Sequence, residues 1–226
     1  MGPPSATVTE PPPLASLPSD GPSLRYVALG DSYTIGTSVG EEARWPDQLV
    51  ARLAADRPAL TLDLVANLAV NGYMAGAVEQ TQLPALEAGP RPGFVSLLVG
   101  VNDVVQGVDP ATYRRHVESI LGRLLALLPA HRILCVETPD YTVTPLGGAF
   151  GDPAAQRAGI VRNNAILQAA CEVRGVHFVD GILAISADAE QRPELVAADG
   201  LHPSGEQYRR WVVERIEPAA RELLAR

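Results

Sequence analysis

Apolar and polar positions along the chain alternate between two rhythms. Tyr26-Val-Ala-Leu29 is a short apolar run closed by Gly30, the pattern of a buried parallel strand entering a turn. Similar runs recur at Leu62–Leu68, Phe94–Val99, Arg132–Val136 and Val176–Val179, giving five expected strands. The stretches between them carry helical spacing. In the clearest, Asp109-Pro110 offers an N-cap followed by proline at the first helical position. Tyr113, Val117, Ile120, Leu121, Leu124 and Leu128 then fall on one face. Further helices are expected over Pro46–Asp56, Gln156–Arg174 and Gly205–Leu224, the last with capping-box spacing between Ser204 and Gln207. Strands alternating with helices in this way predict an α/β domain with a doubly wound parallel sheet.

Two connections exceed what a compact domain needs, Thr138–Asp152 and Ser186–Pro203, and long loops of this kind often carry substrate contacts. Met1–Ser23 is rich in Pro, Ser and Thr and reads as a disordered tail, which leaves 24–226 as a single domain. The tail lacks a basic start and an apolar core, so it does not resemble a secretory signal. No apolar run is long enough for an integral membrane segment. A cytoplasmic location is the expectation, with secretion requiring a leader ahead of this sequence.

Charge narrows the chemistry. A formal net charge of -8 argues against nucleic acid as a partner, because the summed field repels polyanions. All 18 basic residues are arginine. Without lysine there is no Schiff base, no Ser-Lys dyad and no Walker-type phosphate loop. Cys135 and Cys171 lack zinc or redox spacing and read as buried thiols. His116, His131 and His177 have no neighbours at metal-ligand spacing, so surface or helix-end positions are expected and no metal. Trp45 reads as a packing residue.

Four segments end or follow the expected strands: Gly30-Asp-Ser32-Tyr-Thr, Asn67-Leu-Ala-Val-Asn-Gly72, Gly100-Val-Asn102-Asp103 and Asp199-Gly-Leu-His202-Pro203. In an open parallel sheet such ends converge near the point where strand order reverses. Taken alone, Ser32 is an adequate helix cap and Asp199 an adequate turn former. Together the segments hold a hydroxyl, an imidazole, a carboxylate and amide donors, the parts of acyl transfer.

The ordered set resembles the blocks of the SGNH, or GDSL, hydrolase family, over Tyr26 to roughly the last helix. That resemblance implies a three-layer α/β/α, flavodoxin-like fold with a five-stranded sheet, and an esterase without a cofactor acting on a small-molecule ester. It implies Ser32 as nucleophile, Asp199 and His202 completing a triad, and an oxyanion hole of the Ser32 amide, the Gly72 amide and the Asn102 side chain. Tyr33 stands where the family often has leucine, and Val101 where it often has glycine; both bear on pocket shape. Asp31 and Asp103 flank these positions and read as braces. Short acyl groups are the first expectation. A carbohydrate O-deacetylase, a thioesterase, a lysophospholipase or a non-catalytic module on the same fold are the alternatives.

Overall fold

A computed structural model describes residues 22–55 and 60–226. Its centre is a five-stranded sheet, β1 (Ser23–Gly30), β2 (Thr61–Asn67), β3 (Phe94–Leu98), β4 (Ile133–Val136) and β5 (His177–Val179). The spatial order is β2-β1-β3-β4-β5 and every pairing is parallel. Strand order reverses between β1 and β3, which opens the crevice beyond their carboxyl ends.

Side chains leave each strand alternately to two cores, as a period of two requires. Tyr26, Ala28, Phe94, Leu98, Leu134 and Val136 join one apolar cluster. Val27, Leu29, Val95, Leu97, Ile133 and Cys135 join the other. The chain is therefore a three-layer α/β/α structure with helices on both faces of the sheet. Cys135 and Cys171 are buried free thiols within the second cluster.

The helices are α1 (Ser32–Ile35), α2 (Trp45–Ala55), α3 (Ala75–Ala77), α4 (Leu83–Ala88), α5 (Val101–Val105), α6 (Pro110–Leu127), α7 (Pro153–Arg174), α8 (Ile182–Ala187), α9 (Gly205–Trp211) and α10 (Glu217–Leu224). In α6 the Asp109 carboxylate accepts the Ala111 and Thr112 amides at 3.1 and 3.0 Å, and Tyr113 through Leu124 bury the expected face. Trp45 is fully buried.

Several expectations need correction. The proposed tail lies outside the described residues from 1 to 21, but Ser23, placed at its end, belongs to β1. Its partner Thr61 supplies a backbone ladder, and the Thr61 amide donates to the Pro22 carbonyl. Helix α7 begins three residues before Gln156, because Asp152 caps it through the Ala154 amide ahead of Pro153. The capping box is half formed: the Ser204 hydroxyl accepts the Gln207 amide at 3.4 Å, while the Gln207 side chain turns to the Ile185 carbonyl. His177 lies in β5, half-buried, and not at a helix end or on the open surface.

Two helical segments contain a widened π turn, at Val78–Gln82 between α3 and α4 and at Val212–Ile216 between α9 and α10. Each is followed at the same offset by proline, Pro84 and Pro218. A proline ring clashes with the carbonyl four residues back in a regular helix. Here the residue before each proline donates five residues back, Leu83 to Val78 and Glu217 to Val212, so the ladder steps out by one and accommodates the ring. The expected single helix over 205–224 is thus interrupted, and the 75–88 segment is a helix that the apolar pattern did not announce.

Candidate active site

Strand β1 delivers Ser32 through Gly30. At Gly30 φ is +149°, and a Cβ would stand 2.3 Å from the Leu98 carbonyl oxygen, so glycine alone fits this turn. Its backbone is held by Gln82, whose Oε1 accepts the Gly30 amide at 2.9 Å while Nε2 donates to the Gly30 carbonyl at 2.7 Å. The buried amide stands in for the strand that β1 lacks at its end. Asp31 then caps α1 by accepting the Tyr33 amide at 3.0 Å. Burial pushes the Asp31 carboxyl up to about 8; the nearby Asp103 adds to the effect and the Tyr33 amide opposes it. Ser32 opens α1, and Tyr33 packs beside His202 with ring centroids 5.6 Å apart.

The second group of residues follows β2 and β3. A turn closed by the Tyr73 amide on the Val70 carbonyl holds Gly72 at φ +77°, a backbone position suited to glycine. Asn102, near the start of α5, donates through Nδ2 to the Tyr73 carbonyl at 3.0 Å, and a marginal 3.5 Å contact runs to Asp31 Oδ2. Asp103 accepts the Ala75 amide at 3.0 Å. Burial raises its carboxyl above the usual range against the pull of that amide. Asp31 and Asp103 are therefore braces, as their sequence positions suggested.

The loop after α8 supplies the rest. It is folded on itself by a Val196–Pro203 bridge and by the Ala197 amide on the His202 carbonyl at 2.7 Å. Asp199 Oδ1 accepts the Leu201 and His202 amides at 2.9 and 3.0 Å. Its Oδ2 bonds His202 Nδ1 at 2.6 Å and accepts the Ser38 hydroxyl at 2.7 Å. Partial burial pushes this carboxyl up, but the Ser38 hydroxyl, the Leu201 amide and the His202 contacts outweigh it and hold it well below the usual carboxylate range. With Nδ1 engaged, Nε2 is the ring nitrogen left for chemistry.

Ser32, Asn102 and His202 line one open cavity, whose other walls are Tyr33, Val101, Val105, Tyr141, Phe150 and Leu201. Both departures from the family pattern, Tyr33 and Val101, do shape the pocket. Asp199 stands behind His202. Gly72 is on the turn bonded to Asn102 and is not one of the cavity walls.

Both long loops contribute walls. The 138–152 connection is tied at its base: Thr138 pairs with the Asn164 amide group, Asp140 with Arg157 at 2.6 Å, and the Tyr141 hydroxyl with Gln156 at 2.6 Å. Its outer end leaves Leu146 and Phe150 partly exposed.

Gln82 and Ser38 escaped the sequence reading. Gln82 is one polar residue among Ala75, Val78, Leu83 and Leu86, a spacing masked by Gly76 and Pro84, and Ser38 had no signal. His116 pairs with Glu79 at 2.6 Å, away from the cavity. Among the described residues no cluster of His, Cys, Asp and Glu forms a metal-holding group, and no helix is long and apolar enough to cross a membrane.

Residues 28–210 match the GDSL-like Lipase/Acylhydrolase family. The chain belongs to this family. It is a serine ester hydrolase, and its substrates are small-molecule esters. No curated protein matches this sequence. Solved structures with the same fold include a lipolytic G-D-S-L protein from Veillonella parvula, at 16% identity and TM-score 0.65, covering 89% of this acylhydrolase and 98% of that chain. The psychrotrophic esterase EstA from Pseudoalteromonas sp. is 16% identical with TM-score 0.67, covering 89% and 99%. The acetylxylan esterase Axe2 from Geobacillus stearothermophilus is 19% identical with TM-score 0.62, covering 91% and 96%.

Proposed function

We propose that this hydrolase acts through an acyl-enzyme on Ser32 and favours esters of short acyl groups. The carrying observation is that Ser32, Asn102 and His202 share one cavity while Asp199 holds Nδ1 of the ring. The Ser32 oxygen attacks the acyl carbon as His202 Nε2 takes its proton. Asp199 fixes the tautomer and stabilises the imidazolium. The tetrahedral oxyanion collapses, the imidazolium protonates the departing alcohol, and water then hydrolyses the acyl-enzyme through the same base.

Three donors are assigned to the oxyanion: the Ser32 amide at the start of α1, the Gly72 amide and Asn102 Nδ2. The Tyr73 carbonyl accepts one Asn102 Nδ2–H, and the marginal contact to Asp31 leaves the other free to turn to substrate. A mostly protonated Asp31 at neutral pH keeps a negative charge away from the developing oxyanion. Apart from the polar trio and the Tyr33 and Tyr141 hydroxyls, the walls are aliphatic or aromatic. The cavity is open and offers little enclosed space, well short of the roughly 300 Å³ at which small-molecule sites begin, which suits a short acyl chain.

The test is Ser32→Ala on a small activated ester. Turnover should fall at least about 10⁴-fold with native circular dichroism, and retained turnover would overturn the assignment. On the native enzyme, acetyl and butyryl esters should outrun octanoyl. A rise with length would move the reading to lipid-like substrates, and failure of a fluorophosphonate to label Ser32 would favour a non-catalytic module.

A further inference from the structure

The acid–base loop and the nucleophile come from opposite ends of the chain, and something must set their relative position. We propose that Ser38 is a positioning residue that registers the Asp199–His202 pair against the segment carrying Ser32; this rests on the acyl-enzyme reading above.

The Asp199 carboxylate receives four donors, two on each oxygen. Such saturation leaves the group no other orientation of equal energy. Three of the donors, the Leu201 amide, the His202 amide and His202 Nδ1, belong to the loop itself and move with it. The fourth, the Ser38 hydroxyl, lies 161 positions away in sequence, just beyond the end of α1. It is therefore the donor that relates the carboxylate to Ser32.

Ser38 is held there at a conformational cost. Its φ is +68°, and among the described residues it is the one non-glycine with positive φ. It occupies the third position of a turn closed by the Val39 amide on the Gly36 carbonyl at 3.2 Å, where glycine or asparagine is favoured. Backbone geometry alone would be served better by glycine, so the hydroxyl is the reason for serine. The preceding residue does a matching job: the Thr37 hydroxyl donates to Asn71 Oδ1 at 2.5 Å, beside Gly72. One dipeptide thus ties the segment after the nucleophile both to the Gly72 turn and to the acid–base loop.

The experiment contrasts Ser38→Gly with Ser38→Ala in the full chain on a small activated ester. Glycine relaxes the backbone and deletes the hydroxyl; alanine deletes the hydroxyl and keeps the strain. A positioning hydroxyl predicts that both lower kcat about 10-fold with KM within about twofold, even though Ser38→Gly is at least as heat-stable as the native chain. The low-field proton resonance of the His202 Nδ1–H to Asp199 bond should move in both. A purely structural role predicts native kcat and an unmoved resonance in Ser38→Gly, which would overturn the proposal. If Ser32→Ala is dead while Ser38→Gly behaves as native, this inference alone falls. If Ser32→Ala stays active, the acyl-enzyme reading falls and the resonance decides Ser38 by itself.

Discussion

The two halves of the proposed active site are held by different physics. On the nucleophile side, Gly30, Asp31 and Ser32 are buried and continue directly from a central strand, and Gln82 satisfies the Gly30 backbone from both directions. On the acid–base side, Asp199 and His202 sit on a partly exposed loop shaped by short-range hydrogen bonds, with Ser38 and the Leu146 amide on the Gly200 carbonyl as contacts from elsewhere. The first half is placed by the sheet, where any displacement disrupts packing. The second is placed by a few polar contacts near solvent, each modest in energy and easy to alter. Displacing the first half should therefore cost folding as well as chemistry, whereas altering the contacts that hold the second half in place should detune the chemistry gradually.

Beyond the proposed triad, the largest expected effect is at Asn102. Asn102→Ala should reduce kcat about 100-fold to 1,000-fold, since it deletes a donor aimed at transient charge, with KM and the unfolding midpoint little changed. Steady-state kinetics check this, and a loss of stability in place of rate would show that the bond to Tyr73 matters more as a brace than as a route to the oxyanion.

Next is Gly30→Ala, which should destabilise the fold by about 2 kcal/mol or more, because the new methyl meets the Leu98 carbonyl and the backbone φ disfavours it. Urea unfolding measures it. An undisturbed midpoint would mean that the nucleophile turn is as adaptable as the acid–base loop, and the contrast between the halves would vanish.

The last prediction concerns pH. Asp31 keeps its proton in the folded chain up to about 8, while the unfolded chain releases it near 3.8. The native state thus binds the extra proton between these values, so this residue's contribution is full below about pH 4 and falls as pH rises toward 8. Urea midpoints should drop from about pH 5 to about pH 8, and the drop should be shallower in Asp31→Asn.

Periodicity in the chain was enough to locate all five strands and α6, because buried strands need unbroken apolar runs and the Asp109-Pro110 start is chemically distinctive. The same logic applied to Asp152-Pro153 locates the start of α7, although the glycines before it make the region read as loop. The 75–88 helix stayed hidden because Gly76 and Pro84 are both poor in helix interiors, and only the π turn reconciles Pro84 with the ladder.

Ser32, Asn102, Asp199 and His202 were legible as candidates because residue types that supply acyl-transfer chemistry follow strand ends in order. Gln82 and Ser38 were not, since their partners, the Gly30 backbone and the Asp199 carboxylate, are 52 and 161 positions away.

Local spacing, caps and strand-end residues are properties of neighbours along the chain, so the class of fold, the start of α6 and the candidate reacting groups could be read from the order of amino acids. Which group touches which is a property of the folded sheet. Placing β1 between β2 and β3 brings the ends carrying Ser32, Gly72 and Asn102 together, and a strained serine beyond α1 reaches the carboxylate behind His202. Those contacts join residues separated by long stretches of chain, and their geometry is set by packing around the sheet, which no short window of sequence encodes.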